Sequence, residues 1–140
     1  MNHSPASCWK VLSTVLALLS AVPLTAAGAG PLASLAQSEW GFPGEAGEHA
    51  RFVQFGANNT VAGHLGCNRF TGGYTFRDGE LKIGPLASTR MACLPERMRR
   101  EQEFATVLGE AHTAEASAAK LILKDVDGTV LAELVRRDAD

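Results

Sequence analysis

Hydrophobic and polar residues alternate in short runs from residue 51 onward, and the runs are divided by turn residues. Phe52 to Phe55 reads as a strand, Ala57-Asn58-Asn59 as a turn and Thr60 to Leu65 as the returning strand, because Asn tolerates the left-handed backbone. Tyr74-Thr75-Phe76 and Leu81-Lys82-Ile83 flank Asp78-Gly79, a strong two-residue hairpin turn. The pair Gly72-Gly73 predicts a bulge or a close backbone approach. Pro85 ends this set, and 86–94 reads as a loop crossing to a helix.

The period then changes to 3.6. Met98, Phe104, Ala105, Leu108 and Ala111 form one stripe of a helix over 95–111, opened by Pro95 and Glu96. Arg97, Arg99, Arg100, Gln102 and Glu103 face outward, with Glu96–Arg100 and Arg99–Glu103 as i,i+4 pairs. Glu101 interrupts this division, since it falls inside the apolar stripe. A carboxylate there must be paired, hydrogen-bonded or neutral. It is a candidate general acid or ligand-binding group, or a structural partner of Arg69, Arg90 or loop amides. A last hairpin joins Lys120–Leu123 to Thr129–Leu134 through Asp127-Gly128, and a weaker strand covers Thr113 to Ala116.

The N-terminal end has a different pattern. Lys10 precedes the apolar run Val11 to Val22, and Pro23 and the small residues Thr25 to Ala29 follow it. This is the form of a secretory signal peptide over 1–29, with cleavage after Ala27 or Ala29. The run is shorter than the ~20 residues of a permanent membrane span. A flexible leader is expected over 30–39, with Trp40 as the first core anchor and a loop rich in Gly and Pro up to Arg51.

Composition narrows the function classes. The 140 residues are 46% apolar and 20% charged, with 13 basic against 15 acidic side chains. One globular domain is implied, and a broad electrostatic footprint for nucleic acid is not. Residues 1–29 carry one Lys and no acid, so the remaining chain has a charge of −3. Cys8 would leave with the signal peptide. Cys67 and Cys93 remain, an even number in an oxidising compartment, and a disulfide is the default. The competing possibility is a metal site in which His64, Cys67, Cys93 and His112 supply four ligands.

Four blocks in register carry a family resemblance. Gly66-Cys67-Asn68-Arg69-Phe70-Thr71-Gly72-Gly73-Tyr74 resembles the G-C-N-x-F-x-G-x-Y signature of the META domain, the HslJ-like family of small exported bacterial proteins named for a heat-inducible member. Leu86 to Cys93 resembles its second block, which ends in M-A-C. Glu101 and Phe104 match its E-x-x-F helix motif, and Leu121 to Gly128 its closing L-x-L-x-D-x-x-G hairpin. Trp40 stands where the family's opening Trp does.

The resemblance implies an α+β fold, a small antiparallel β-sheet curled into a partial barrel around a single α-helix, over 40–135; the polar residues of 136–140 separately predict a frayed tail. It also implies that Cys67 and Cys93 are both usually present. The family is associated with the envelope, the stress response and antibiotic tolerance, and no reaction is established for it as a class. Some relatives are lipid-anchored, whereas this chain has no Cys after the apolar run.

The expected function is therefore a non-enzymatic domain, periplasmic or secreted, soluble after signal cleavage and monomeric. It would bind an envelope protein or small ligand through Asn68, Arg69, Thr89 and Arg90. Neither a cofactor nor nucleic acid is expected. The alternative is a metal-binding or hydrolytic envelope protein using Glu101, His64 and the cysteines.

Overall fold

The computed structural model describes residues 31–138. The expected signal peptide, Cys8, the cleavage site and the end of the tail lie outside the described residues. Nine strands and one helix follow in order: β1 Ser38–Gly41, β2 Phe52–Phe55, β3 Thr60–His64, β4 Arg69–Arg77, β5 Glu80–Ile83, β6 Ala87–Ser88, α1 Pro95–Glu110, β7 Thr113–Ala116, β8 Lys120–Lys124 and β9 Val130–Arg136. All the pairings are antiparallel, and the sheet order is β3-β2-β1-β9-β8-β7-β5-β4 with β6 beside β4.

The sheet closes on itself because β3 also pairs with β4, with Thr60 opposite Gly73 and His64 opposite Arg69. β5 and β6 share one edge of β4, so the nine strands form a closed eight-strand barrel. Closure corrects the expected partial barrel. Turn chemistry explains how the strands return so tightly. Asn58, Asn59, Asp78 and Gly79 all have positive φ, as the sequence predicts for the two short turns. The expected irregularity at Gly72-Gly73 falls on the facing strand instead. Tyr74 pairs with Ile83 but Thr71 with Ala87, so the β5–β6 side carries one extra residue around Pro85. Gly72 is the close approach, since a Cβ there would meet Pro85 O at 3.0 Å and Leu86 Cδ2 at 2.9 Å.

An eight-strand barrel is just wide enough for side chains to fill. Here the filling alternates along each strand: Val53 and Phe55 on β2, Leu121 and Leu123 on β8, Ala132 and Leu134 on β9 all point in. Phe55 meets Tyr74 edge-on, at 4.8 Å between ring centroids. Because the barrel packs on its own side chains, the helix does not occupy its centre. Only Phe104 and Leu108 of α1 are buried, and both join the barrel core. The helix covers the end of the barrel at which the β1–β2, β3–β4 and β8–β9 loops gather, which corrects the picture of strands wrapped around a helix.

Both ends of the domain extend further than the sequence predicts. Leu35 is 1% exposed and lies in the core, and Leu32 N–H donates to Ala116 O at 2.8 Å. Ser38 accepts from Trp40 Nε1–H at 2.7 Å while its own hydroxyl donates to Leu35 O. The leader expected over 30–39 is therefore largely part of the fold. At the other end Arg136 closes β9, and Arg137 N–H donates to Glu39 O at 2.9 Å. The tail is thus paired at its start.

Candidate functional site

The signature residues meet at the helix-covered end of the barrel. Three segments converge there: the β3–β4 turn at 65–68, the loop from β6 to α1, and the helix face that carries Glu101. The turn is tight, since Leu65 N–H donates to Asn68 O at 2.8 Å and Gly66 takes φ +111°. A side chain at that backbone angle would be strained, which explains the glycine before Cys67.

Asn68 is the hub. Its amide oxygen accepts from Met91 N–H at 2.6 Å and from the Thr89 hydroxyl at 2.9 Å. Its amide nitrogen donates to Glu101 Oε1 at 3.0 Å and Met91 O at 3.3 Å. Its backbone N–H donates to Glu101 Oε2 at 2.7 Å. All four side-chain hydrogen-bonding positions of an asparagine are used. Asn68 is 2% exposed, which corrects its place on the expected binding surface. Its role is internal. Thr89 Oγ1 also accepts from Arg69 N–H at 3.1 Å, so its hydroxyl is occupied as well.

Glu101 thereby obtains partners for both oxygens. Arg69 and Arg90, the cationic partners considered from sequence, do not pair with it. Both arginines are exposed, and among the described residues neither guanidinium is in an ion pair. A shallow depression of about 320 Å³ lies beside them, between Arg69–Thr71 and Ala87–Thr89.

Cys67 and Cys93 are joined, with their Cα atoms 6.1 Å apart. The bond ties the β3–β4 turn to the loop before α1, where Asn68 also binds. A disulfide of this kind belongs to an oxidising compartment outside the cytoplasm. It bears out the expected disulfide and takes both sulfurs out of the alternative metal set of His64, Cys67, Cys93 and His112. Among the described residues no group of three or more His, Cys, Asp or Glu is placed to hold a metal ion. His64 is buried on β3, and its Nδ1 accepts from Gly66 N–H at 3.0 Å. Burial, together with the positive charges of Arg69 and His49, pushes its pKa below 6.5.

A second polar group adjoins the helix. Arg100 donates to Glu45 at 2.6 Å instead of to Glu96, so the expected Glu96–Arg100 pair is replaced by a long-range one. Arg51 grips the same carboxylate through its side chain at 2.6 Å and its backbone N–H at 3.0 Å. Burial opposes the charge on Glu45, but these hydrogen bonds outweigh it and hold the pKa at about 2. Arg51 also lies over the Phe42 ring at 3.9 Å, and Phe42 meets Phe104 edge-on at 5.1 Å. No sequence pattern announces this group, because Glu45 and Arg51 lie in one irregular loop and Arg100 comes from the distant helix. A depression of about 690 Å³ lies apart from the cluster, where β5 meets β7 through the pair Glu80–Thr113.

No helix among the described residues is long and apolar enough to cross a membrane. No curated protein sequence matches the chain. Solved structures do. An NMR structure of a protein from Burkholderia xenovorans is 20% identical, covers 74% of this chain and 84% of its own, and gives a TM-score of 0.62. A second NMR structure is 24% identical over 74% of this chain and 91% of its own, with a TM-score of 0.55. A crystal structure of a DUF4847 family protein from Bacteroides vulgatus is 18% identical over 66% and 62%, with a TM-score of 0.52. At these identities the likeness is one of fold. The cluster around Asn68 lies wholly within residues 33–138, which match the model of the META domain, and the chain belongs to that family.

Proposed function

We propose that this is a non-enzymatic domain, periplasmic or secreted, that binds an envelope partner or ligand through the Arg69–Arg90 face and supports the envelope under stress or antibiotic challenge. One observation supports this reading. The polar side chains of the signature are consumed within the fold, while two arginines beside them stay unpaired on a cross-linked frame. Both Glu101 oxygens accept hydrogen bonds from Asn68, so the carboxylate has a structural task. Thr89 and Asn68 hold the backbone of residues 69 and 91, and so set where Arg69 and Arg90 emerge. Two exposed guanidinium groups carried on held backbone suit recognition of carboxylate or phosphate.

The test is a pull-down from detergent-solubilised envelope extract, comparing the parent with an Arg69→Ala/Arg90→Ala variant. The reading expects a partner that the parent retains and the variant loses, with unchanged thermal unfolding. Equal capture by both proteins would remove the arginine face as the contact surface. Turnover of an envelope substrate would remove the non-enzymatic part.

A further inference from the structure

The helix begins on the wrong residue for stability. Leu94 is the N-cap of α1, where Ser, Thr, Asp or Asn would satisfy a free backbone N–H through its side chain, and it makes no such bond. It is also 68% exposed. A leucine here is unfavourable both as a cap and as an exposed apolar group, and its substitution by serine would improve both. A local rule broken with no folding gain marks a functional position. Met91, three residues earlier, is 56% exposed. Neither side chain can retreat by rearranging the loop, because Met91 N–H and O are held by Asn68 and Cys93 by Cys67.

Charge surrounds this apolar pair. Residues 86–100 contain four arginines against the single acid Glu96, in a chain whose total balance is −2. Arg99 and Arg100 are spent on Glu103 and Glu45. Arg69, Arg90 and Arg97 are in no ion pair among the described residues. Arg97 N–H donates to Leu94 O, and Arg69 is bonded to Thr89 in both directions, so all three adjoin the Thr89–Leu94 loop.

We propose that this loop docks the protein on a lipid surface with anionic headgroups. Leu94 and Met91 enter the interfacial layer, and Arg69, Arg90 and Arg97 engage headgroup phosphates. Apolar residues rimmed by unpaired cations are the pattern of interfacial binding. An acidic protein would satisfy the arginines but would need an apolar pocket for the leucine as well, whereas an anionic lipid surface takes both without one. The inference rests on the reading of the Arg69–Arg90 face as a contact surface, and names what it contacts.

The test is sedimentation with vesicles of phosphatidylcholine alone or with about a third phosphatidylglycerol. It uses the full chain, Arg69→Ala/Arg90→Ala and Leu94→Ser. Comparing each variant with the parent on the same vesicles removes any contribution of residues 1–29, which all three proteins share. The parent is expected to favour anionic vesicles at least tenfold at low salt. Losing two arginines should cut that binding about 25-fold, at about fivefold each. Leu94→Ser should cut it about five- to tenfold while leaving the thermal midpoint equal or higher. Equal binding of the parent to both vesicles overturns the proposal. So does an arginine effect with no Leu94→Ser effect, which would assign the face to an acidic protein. If the vesicles fail but the detergent-extract partner still depends on the arginines, the contact surface stands and only the lipid assignment falls.

Discussion

Glu101 reaches from the helix to Asn68 in the β3–β4 turn and accepts both its backbone N–H, at 2.7 Å, and its side-chain N–H, at 3.0 Å. Glu101→Gln keeps the shape but turns one acceptor into a donor that faces another donor. A hydrogen bond to a charged group contributes about 1.5–3 kcal/mol, and an unpaired buried N–H costs a similar amount. The variant is expected to lose about 2–3 kcal/mol in urea unfolding. A loss below about 0.5 kcal/mol would mean that the pairing carries no stability.

The disulfide closes the segment between Cys67 and Cys93, which are 26 positions apart. In the chain-entropy model such a loop stabilises by about 3–4 kcal/mol. Cys67→Ser/Cys93→Ser should lower the unfolding free energy by the corresponding amount, with an m-value equal to or above that of the parent, because the unfolded chain is freed to expand. Mass spectrometry of the protein purified without reductant, alkylated before and after reduction, should find no free thiol at either position before reduction.

Acid should weaken the fold in two stages. His64 has a folded pKa below 6.5, so the unfolded chain binds more protons as pH falls through that value, and stability present above it is lost. Glu45 is held at about 2 against an ordinary 4.5, so its contribution is present above pH 4.5 and lost as pH falls from there toward 2. It amounts to about 1–3 kcal/mol after solvent screening. Urea unfolding at intervals from pH 8 to pH 3 should show both stages. His64→Gln should flatten the upper one alone and Glu45→Gln the lower one alone.

Two glycines should respond in opposite directions to alanine. At Gly63 a Cβ would run into Phe52 O and lie 2.8 Å from the Phe70 ring, in the middle of the β2–β3–β4 pairing. Gly63→Ala should destabilise by about 2 kcal/mol or more, since backbone pairing must give. Gly109 is helical with nothing within 4 Å of its Cβ position, so Gly109→Ala should stabilise by about 0.5–1 kcal/mol. Thermal unfolding of the two variants against the parent measures both.

What was legible in the sequence follows from how local each signal is. Asn58-Asn59, Asp78-Gly79 and the alternation in β2, β8 and β9 depend on neighbours in the chain, and these elements lie where the pattern puts them. The stripe of Phe104 and Leu108 was visible, but its geometry was not. Periodicity says that a helix has a buried face, not whether it lies inside a sheet or across its end. Leu35 was hidden in a run of small residues, and its burial depends on a barrel end formed by distant strands. Glu101 stood out as a carboxylate in an apolar stripe, yet its partner could not be read, because an asparagine amide gives no pattern of charge. Glu45 lacked any signal, since it and Arg51 share a loop with no period and Arg100 reaches it from the helix.

Asn68 and Glu101 act as one clasp that joins the turn, the loop and the helix. A double-mutant cycle measures it directly: urea unfolding of the parent, Asn68→Ala, Glu101→Ala and the double variant, all with the disulfide intact. A clasp should show a coupling of about 1–3 kcal/mol, the range for residues in one hydrogen-bond network. Strictly additive losses, with a coupling within about 0.3 kcal/mol of zero, would contradict it.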